Sequence, residues 1–251
     1  MGLVGLEKAV KLMYERLAAF LVENLDFEGV STILEVGCGS GQLTFPFVRK
    51  VREISSGFRV FALDLSAGPY KGHLDVLKRR VREERLDGVI TPVNADVRDM
   101  DVIADESVDL VVSNETLCEL DRAGLEKAVR EFYRVLKFGG QMVHGELIQA
   151  FENEAQRLVI EANLRSLETS LPKPPWVSPF SDEVAALLHK IGFRDIVVKY
   201  FETNVRFRGF NVALKKLKQW HVDPEFVEER LQDIEKHGLE YPMEHLIFCR
   251  K

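Results

Sequence analysis

The sequence predicts an α/β protein in which a mostly parallel sheet is covered by helices on both faces. Two observations predict this class. Short apolar, β-branched runs alternate with amphipathic segments over residues 31–147, and the connections between them are short. Such alternation is typical of βαβ units, whose strands lie parallel. Two more strands are expected near the end of the chain, which brings the sheet to seven.

Each element follows from its own residue pattern. Residues 4–24 repeat apolar side chains at three- and four-residue steps, which indicates an amphipathic helix. Pro92 places the third strand near an edge or end of the sheet, because proline cannot donate to a strand ladder. The expected strands are 31–36, 58–65, 89–93, 108–113, 141–147, 196–200 and 244–249, and the expected helices are 42–51, 74–85, 122–136, 150–170 and 181–192.

The whole chain, 1–251, is predicted to be one domain. Its parts are an N-terminal cap helix (1–29), a core (30–147), two insertions (148–180 and 209–237) and closing elements (181–208 and 238–251). The insertions are too long for plain connections, so we expect helical lids. Two interpretations are equally open for four apolar side chains of the first insertion: they line an acceptor pocket, or they pack the lid against the body. These residues are Phe151, Leu158, Trp176 and Phe180. The basic run at 215–221 is interpreted as a solvated helix face.

Composition and charge restrict the function classes. The net charge of −6 disfavours a nucleic-acid partner, since phosphate binding usually needs a basic surface. Cys38, Cys118 and Cys249 are too far apart for a zinc motif, and their odd number does not suggest a disulfide framework. No stretch approaches the length of a membrane span, and no signal-peptide pattern begins the chain. We therefore expect a cytoplasmic protein with no metal and no membrane partner; the sequence does not predict the oligomeric state.

The motif that carries chemistry is EVGCGSG at 35–41. A strand that ends in alternating glycines and enters a helix exposes backbone N–H groups at a positive helix end. Two nucleotide motifs are excluded by spacing. A dinucleotide-binding loop would have its third glycine at position 42, but that position is Gln42 and the third glycine comes one residue earlier. A P-loop would need Gly-Lys-Ser/Thr, which does not follow.

This loop resembles motif I of the Rossmann-like S-adenosylmethionine (SAM)-dependent methyltransferases, E/D-x-G-x-G-x-G. The resemblance implies a Rossmann-like sheet and SAM as the cofactor. It also implies that Glu35 reaches toward the amino group of the methionine moiety, usually through water. The backbone around Gly37, Cys38, Gly39 and Gly41 would pack against the cofactor.

Further positions support the resemblance at the carboxyl ends of later strands, where ligands bind in open α/β sheets. Asp64, followed by Leu65, matches the acid that binds the ribose hydroxyls. Asp96 matches the acid that binds the adenine amino group, and Val97 would face the ring. The segments VDLVVSNE (108–115) and LKFGG (136–140) resemble the fourth-strand motif and the turn before strand five. Each acid alone is also compatible with a turn or capping role.

Methyl transfer needs no universal catalytic residue, so only candidates can be named. Asn114, at the end of strand four, would lie beside the methyl position. Glu115 could orient or deprotonate an acceptor, or cap the turn. His144, on the same side of strand five as Glu146, is more typical of a packed histidine than of a base. Tyr14 could cap the pocket or pack on the amphipathic face.

Three other positions have plainer interpretations. The sequence NETL at 114–117 does not match the Asn-Pro-Pro-Tyr of many amide and base-nitrogen methyltransferases. Glu119 could lie on the same wall as Glu115, but a solvated helix-start acid is the expected interpretation. Cys118 is expected to be buried and inert.

Three functions are therefore weighed. The acidic charge and the expected lids favour a methyltransferase with a small-molecule acceptor. A methyltransferase of protein or RNA would need an open groove. A SAM-binding partner protein without activity would have been free to lose Glu35, Asp64 and Asp96.

Overall fold

The structure, a computed structural model, describes residues 3–67, 70–165 and 181–251, with side chains described from residue 8. The described helices are α1 Leu3–Asn24, α2 Thr44–Ile54, α3 His73–Glu83, α4 Arg122–Val135, α5 Glu154–Leu164, α6 Ser181–Ile191, α7 Phe210–Gln219, α8 Pro224–Glu229 and α9 Leu231–His237. The strands are β1 Thr32–Val36, β2 Arg59–Asp64, β3 Ile90–Asn94, β4 Val108–Asn114, β5 Leu136–Leu147, β6 Arg194–Phe201, β7 Arg206–Phe207, β8 Leu239–Glu240 and β9 Glu244–Arg250.

Seven strands form the main sheet in the order β3-β2-β1-β4-β5-β9-β6. The strands from β1 to β5 are parallel, and β9 runs antiparallel to both β5 and β6. This confirms the predicted mostly parallel α/β fold. It also places β3, which contains Pro92, at the sheet edge, where proline costs no ladder bond.

The strand order reverses at β1, which has β2 on one side and β4 on the other. The connections that follow β1 and β4 leave on opposite faces of the sheet, so a crevice opens above the carboxyl ends of these two strands. Helices α1, α2 and α3 supply one hydrophobic core, which includes Ile33 of β1. Helices α4 and α6 supply the other, which includes Leu34. Because successive strand residues point to opposite faces, β1 is buried on both.

Strand β5 begins earlier than the sequence predicts. Helix α4 ends at Val135 and β5 starts at Leu136, so Gly139 and Gly140 lie inside the strand instead of before it. The register between β4 and β5 shifts in this region, which accommodates the extra residues as a bulge. Gly139 has a φ of +80°, a conformation that glycine adopts without strain.

The first insertion is described only in part. Helix α5 starts at Glu154, four residues later than expected. Asn153 caps it, because its side chain accepts a hydrogen bond from the Gln156 N–H. Leu158 is buried and Phe151 is exposed. Trp176 and Phe180 lie outside the described residues. The second insertion forms α7, α8 and α9, and α5 packs against β8 and α9.

None of the helices in the described ranges is both long and apolar enough to cross a membrane.

Candidate cofactor and acceptor site

A cavity of about 280 Å³ lies above the carboxyl ends of β1, β2 and β4. It brings together residues from the glycine loop and from the predicted motifs that follow β2, β3 and β4, but none from LKFGG at 136–140. Those lining it are Tyr14, Glu35, Gly37, Cys38, Gly39, Asp64, Leu65, Asp96, Val97, Asn114 and Glu115. Two predicted positions, Gly41 and His144, do not line it.

The glycine loop presents bare backbone to this cavity. Gly37 has a φ of +75°, and a Cβ on it would lie 2.0 Å from the Thr116 Oγ1. That hydroxyl donates to the Val36 carbonyl oxygen and locks the loop against the tip of β4. At Gly39, whose φ is +53°, an added Cβ would approach within 4 Å only the Gln42 side chain. The space over Gly39 is therefore open to a ligand.

Gly41 has a different role from the other two glycines. A Cβ there would lie 2.4 Å from the Phe45 ring and 2.7 Å from a Leu77 methyl carbon. The absence of a side chain at Gly41 thus allows the loop to pack against α2 and α3.

Glu35 points from the end of β1 into the cavity, although only 3% of its surface is exposed. Burial raises the pKa of its carboxyl to about 8. Its Oε2 atom has no hydrogen-bond partner among the described residues. A buried, unpaired carboxyl oxygen is costly unless a ligand satisfies it, so this site fits the amino group of a methionine moiety.

Asp64 and Asp96 occupy the ends of the next two strands. The Asp64 Oδ2 accepts a hydrogen bond of 2.6 Å from the Gly39 N–H, and burial raises the pKa of this carboxyl. Both oxygens of Asp96 accept hydrogen bonds from the Arg98 guanidinium, which lowers the pKa of Asp96. These residues suit a nucleoside: the Asp64 carboxylate lies beside the open glycine loop, where it can accept hydrogen bonds from a ribose, and the apolar Leu65 and Val97 can contact a base.

The tip of β4 carries Asn114 and Glu115. Glu115 has a φ of +50°, and its backbone N–H donates to the Gly145 carbonyl of β5. Its Oε1 accepts from the Leu147 N–H at 2.8 Å. The Asn114 amide has no hydrogen-bond partner among the described residues, and a Cβ on Gly145 would lie 2.3 Å from its Oδ1. Gly145 therefore makes room for Asn114.

Behind Glu115 lie two more carboxyl groups, those of Glu146 and Glu244, both buried. Burial raises the pKa of Glu146 to about 7. Burial and the charges of Glu146 and Glu119 raise the pKa of Glu115 well above its usual range, and burial and the charges of Glu115 and Glu146 do the same for Glu244. Like charges cannot all ionise in so small a space. Ionisation of one carboxyl in the cluster therefore makes ionisation of the others harder.

Among the described residues, one set of three side chains has the spacing of a possible cation site, and it overlaps this cluster. Ligand atoms of Glu115, Cys118 and Glu146 lie within 4.8 Å of one another. The Glu146 Oε1 already accepts a hydrogen bond from the Cys118 N–H at 2.9 Å. The absence of a bound metal stays a prediction of the sequence.

The other two catalytic candidates separate clearly. His144 is fully buried, and its Nε2 lies 3.0 Å from the Glu146 Oε1. Burial lowers the pKa of His144 to about 3, so the imidazole is neutral and packed below the cavity. Tyr14 of α1 lines the cavity, and burial raises its pKa above the usual range, so its hydroxyl stays protonated.

The sequence interpretation missed a contact across the cavity. The Tyr70 hydroxyl donates to the Glu119 Oε2 at 2.6 Å, and both residues line the cavity. Glu119 is half-buried and lines the cavity, which agrees with the alternative position on the pocket wall and not with the expected solvated acid. No motif marks Tyr70, which lies between β2 and α3; its position directly after the Asp64 segment was the available signal. Gln42, His73, Arg98 and Thr116 are further lining residues that were not predicted.

Comparison with known proteins agrees with this geometry. A family model described as "Methyltransferase domain" matches residues 33–140, which contain the glycine loop and the ends of β1 to β4.

Two curated relatives are methyltransferases by name. One is the probable S-adenosylmethionine-dependent methyltransferase CRG1 of Saccharomyces cerevisiae, 30% identical over 93 residues, which are 36% of this chain and 28% of that protein. The other is the methyltransferase GfsG of Streptomyces halstedii, 29% identical over 135 residues, which are 53% of this chain and 44% of that protein. The matched part is thus less than half the length of either relative.

A solved structure shares the fold over most of the chain. The [4+2]-cyclase SpnF superposes with a TM-score of 0.64 and 18% identity, covering 94% of this chain and 80% of that one. The family match, the sheet order and the cavity agree: residues 33–140 match a methyltransferase domain, and they lie on a Rossmann-like sheet whose cavity fits SAM, the cofactor of the SAM-dependent methyltransferases.

Proposed function

We propose that this protein transfers the methyl group of SAM to a small-molecule acceptor that reaches the tip of β4. The observation that carries the proposal is the convergence of Glu35, Asp64 and Asp96 with Glu115 on one cavity. The first three fit the methionine amino group, the ribose and the adenine. Glu115 and Asn114 then lie where the acceptor must meet the methyl carbon.

When bound, SAM supplies an electrophilic methyl group on a sulfonium. The protein's part is to hold the acceptor lone pair in line with that methyl group and to exclude water. Proximity and orientation of this kind can supply ~7–11 kcal/mol of the barrier. Thr116, which fixes the glycine loop to the β4 tip, keeps the two halves of the site in register.

Glu115 is the group we assign to proton removal from an acceptor hydroxyl or amine. Burial and the neighbouring Glu146 raise its pKa, which brings its basicity closer to what proton transfer near neutral pH requires. The Leu147 N–H holds its Oε1, which leaves the other oxygen available. His144 cannot serve, because it lies outside the cavity.

A small acceptor is favoured by charge and by enclosure. The chain carries a net charge of −6, which does not suit a polyanionic substrate. Tyr14 lines the cavity from the N-terminal helix, and Tyr70 and Glu119, joined by a hydrogen bond, line it as well. Both features narrow the access that a protein or RNA chain would need.

The test is to incubate the protein with SAM labelled in its methyl group and with a cell extract divided by size. We expect S-adenosylhomocysteine (SAH) to form, and the label to enter the small-molecule fraction. Label in protein or RNA would refute the small-acceptor assignment. SAM binding without SAH formation in any fraction would favour a partner protein or another chemistry on the same fold, as the name of SpnF illustrates for that protein.

A variant tests the role of Glu115. We expect Glu115→Gln to lower kcat by ~10²–10⁴-fold, the usual contribution of a general base, with little change in SAM affinity. An unchanged kcat and an unchanged pH profile would exclude proton transfer through Glu115.

A further inference from the structure

A second cavity, of about 390 Å³, lies next to the cofactor cavity. Tyr14 of α1 and Gln42, just before α2, line both cavities, so these two side chains form the partition between them. The remaining walls come from α1, α2, α3 and α7. Helix α7 belongs to the insertion at 209–237, for which the sequence predicts a helical lid.

Cationic side chains from four helices converge on this second cavity. They are Lys11 of α1, Arg49 of α2, Arg80 of α3 and Lys216 of α7, against one lining carboxylate, Glu15. Like charges brought together around a concave surface repel one another and raise the local concentration of anions. The lining therefore selects for negative charge.

Only part of this positive charge is neutralised by neighbours. Glu84 lies 3.3 Å from a nitrogen of Arg49 and 3.6 Å from one of Arg80, so a single carboxylate serves two guanidinium groups. The Lys11 amine lies 4.0 Å from Glu15 on an exposed face, where ion pairs are weak.

Lys216 is the most informative of the four cations. Its amine lies 5.1 Å from the centre of the Trp220 ring and 5.7 Å from that of Phe207. In the part of the chain that the structure describes, no carboxylate comes within 4 Å of it. Partial burial lowers the pKa of its amine, which shows that the surroundings do not favour the charge as they stand. An anion in the cavity would compensate for this desolvation.

We propose that this second cavity binds an anionic group of the acceptor, a carboxylate or a phosphate, through Lys216 and Arg49. The inference rests on the proposed methyl transfer to a small molecule and adds a requirement for negative charge. The acceptor would extend from the anion past the partition of Tyr14 and Gln42 to reach the β4 tip. Sharing of these two wall residues by both cavities is what connects the anion site to the chemistry.

Anion binding is measured first, without turnover. The probes are inorganic phosphate and acetate, titrated into the full chain by calorimetry at constant ionic strength. We expect saturable binding of at least one probe, weakened at least tenfold by Lys216→Met, because a hydrogen bond to a charged group is lost. Lys218→Met, on the exposed side of the same helix, is the matched control and should change nothing. Arg49→Met is a second variant on a different helix.

Cofactor binding is measured in the same variants. SAM affinity should be unchanged in Lys216→Met and Lys218→Met. The inference is overturned if neither probe saturates in the wild type, or if Lys218→Met weakens the anion as much as Lys216→Met. It is also overturned if Lys216→Met weakens SAM instead of the probes, since the cations would then serve the carboxylate of the cofactor.

The link to the acceptor is tested with acceptors that yield SAH. A carboxylated or phosphorylated acceptor should have a KM at least tenfold below that of its neutral ester, and Lys216→Met should abolish the difference. Equal KM values would overturn this inference and leave methyl transfer intact. Absence of SAH with every acceptor, with the anion titrations as expected, would instead refute the proposed function and the assignment of the anion to an acceptor.

Discussion

Glu35 should lose a proton when SAM binds. Its carboxyl is buried at the end of β1, and its pKa is raised to about 8 by burial. A carboxyl with that pKa is about nine-tenths protonated at pH 7. If the ammonium of SAM takes the place opposite Glu35, the positive charge favours the carboxylate and returns the pKa toward its ordinary value of 4.5.

The size of the effect follows from these two pKa values. At pH 7 the complex should release about 0.9 proton from Glu35 on binding. Affinity for SAM should rise as pH rises from about 5 toward 8, because protons compete with the cation for the carboxyl. The limiting slope is about tenfold per pH unit, which is ~1.4 kcal/mol. Above pH 8 the rise should stop, since Glu35 is then ionised and the amino group of SAM begins to lose its own proton.

The assay is isothermal calorimetry at pH 7 in buffers with different ionisation enthalpies. The slope of observed enthalpy against buffer enthalpy gives the number of protons released. Glu35→Gln keeps the shape of the side chain and cannot ionise, so it is the matched control. Repeating the titration with SAH, which has the ammonium but no sulfonium, separates Glu35 from the carboxyl groups near the methyl position.

The reasoning would be refuted by wild-type binding without proton release, or by the same release in Glu35→Gln. The first result would mean that Glu35 is ionised before the ligand arrives. The second would assign the released proton to other carboxyls whose pKa burial raises, such as those of Asp64 and Glu146.

Two further predictions concern the geometry of the site. Asp64→Ala should weaken SAM affinity at least tenfold in calorimetry, because the ribose contact and the partner of the loop N–H are both lost; exposed Asp75→Ala is the control, and equal affinities would contradict the ribose assignment. Gly145→Ala should reduce SAH formation at least tenfold, because the new Cβ would displace Asn114. Gly88→Ala, which meets no atom within 4 Å, should retain full activity; similar rates in both variants would show that Asn114 is not needed in place.

The sequence predicted the sheet well because its signals are local. Alternating apolar runs and the edge position of Pro92 depend on short-range patterns, and both are confirmed. The start of β5 was predicted wrongly because Gly139 and Gly140 usually interrupt structure. Here a bulge against β4 accommodates them, and only the pairing of two strands reveals it.

The candidate site was predicted from the resemblance to methyltransferase motifs together with the positions of the strand ends. Glu35, Asp64 and Asp96 could be assigned to one cavity because parallel strands deliver their ends to one edge. The Tyr70–Glu119 contact and the cluster around Glu244 join segments that are distant in the chain. Such contacts depend on tertiary packing, and no spacing in the sequence encodes them.

The partition formed by Tyr14 has a thermodynamic consequence. One ring is a wall of two neighbouring compartments, so a shift of that ring on filling either compartment alters the other. By linkage, if the first ligand raises the affinity for the second by some factor, the second raises the affinity for the first by the same factor. Any synergism between ligands of the two cavities would therefore depend on the rotamer of one aromatic side chain on the first helix.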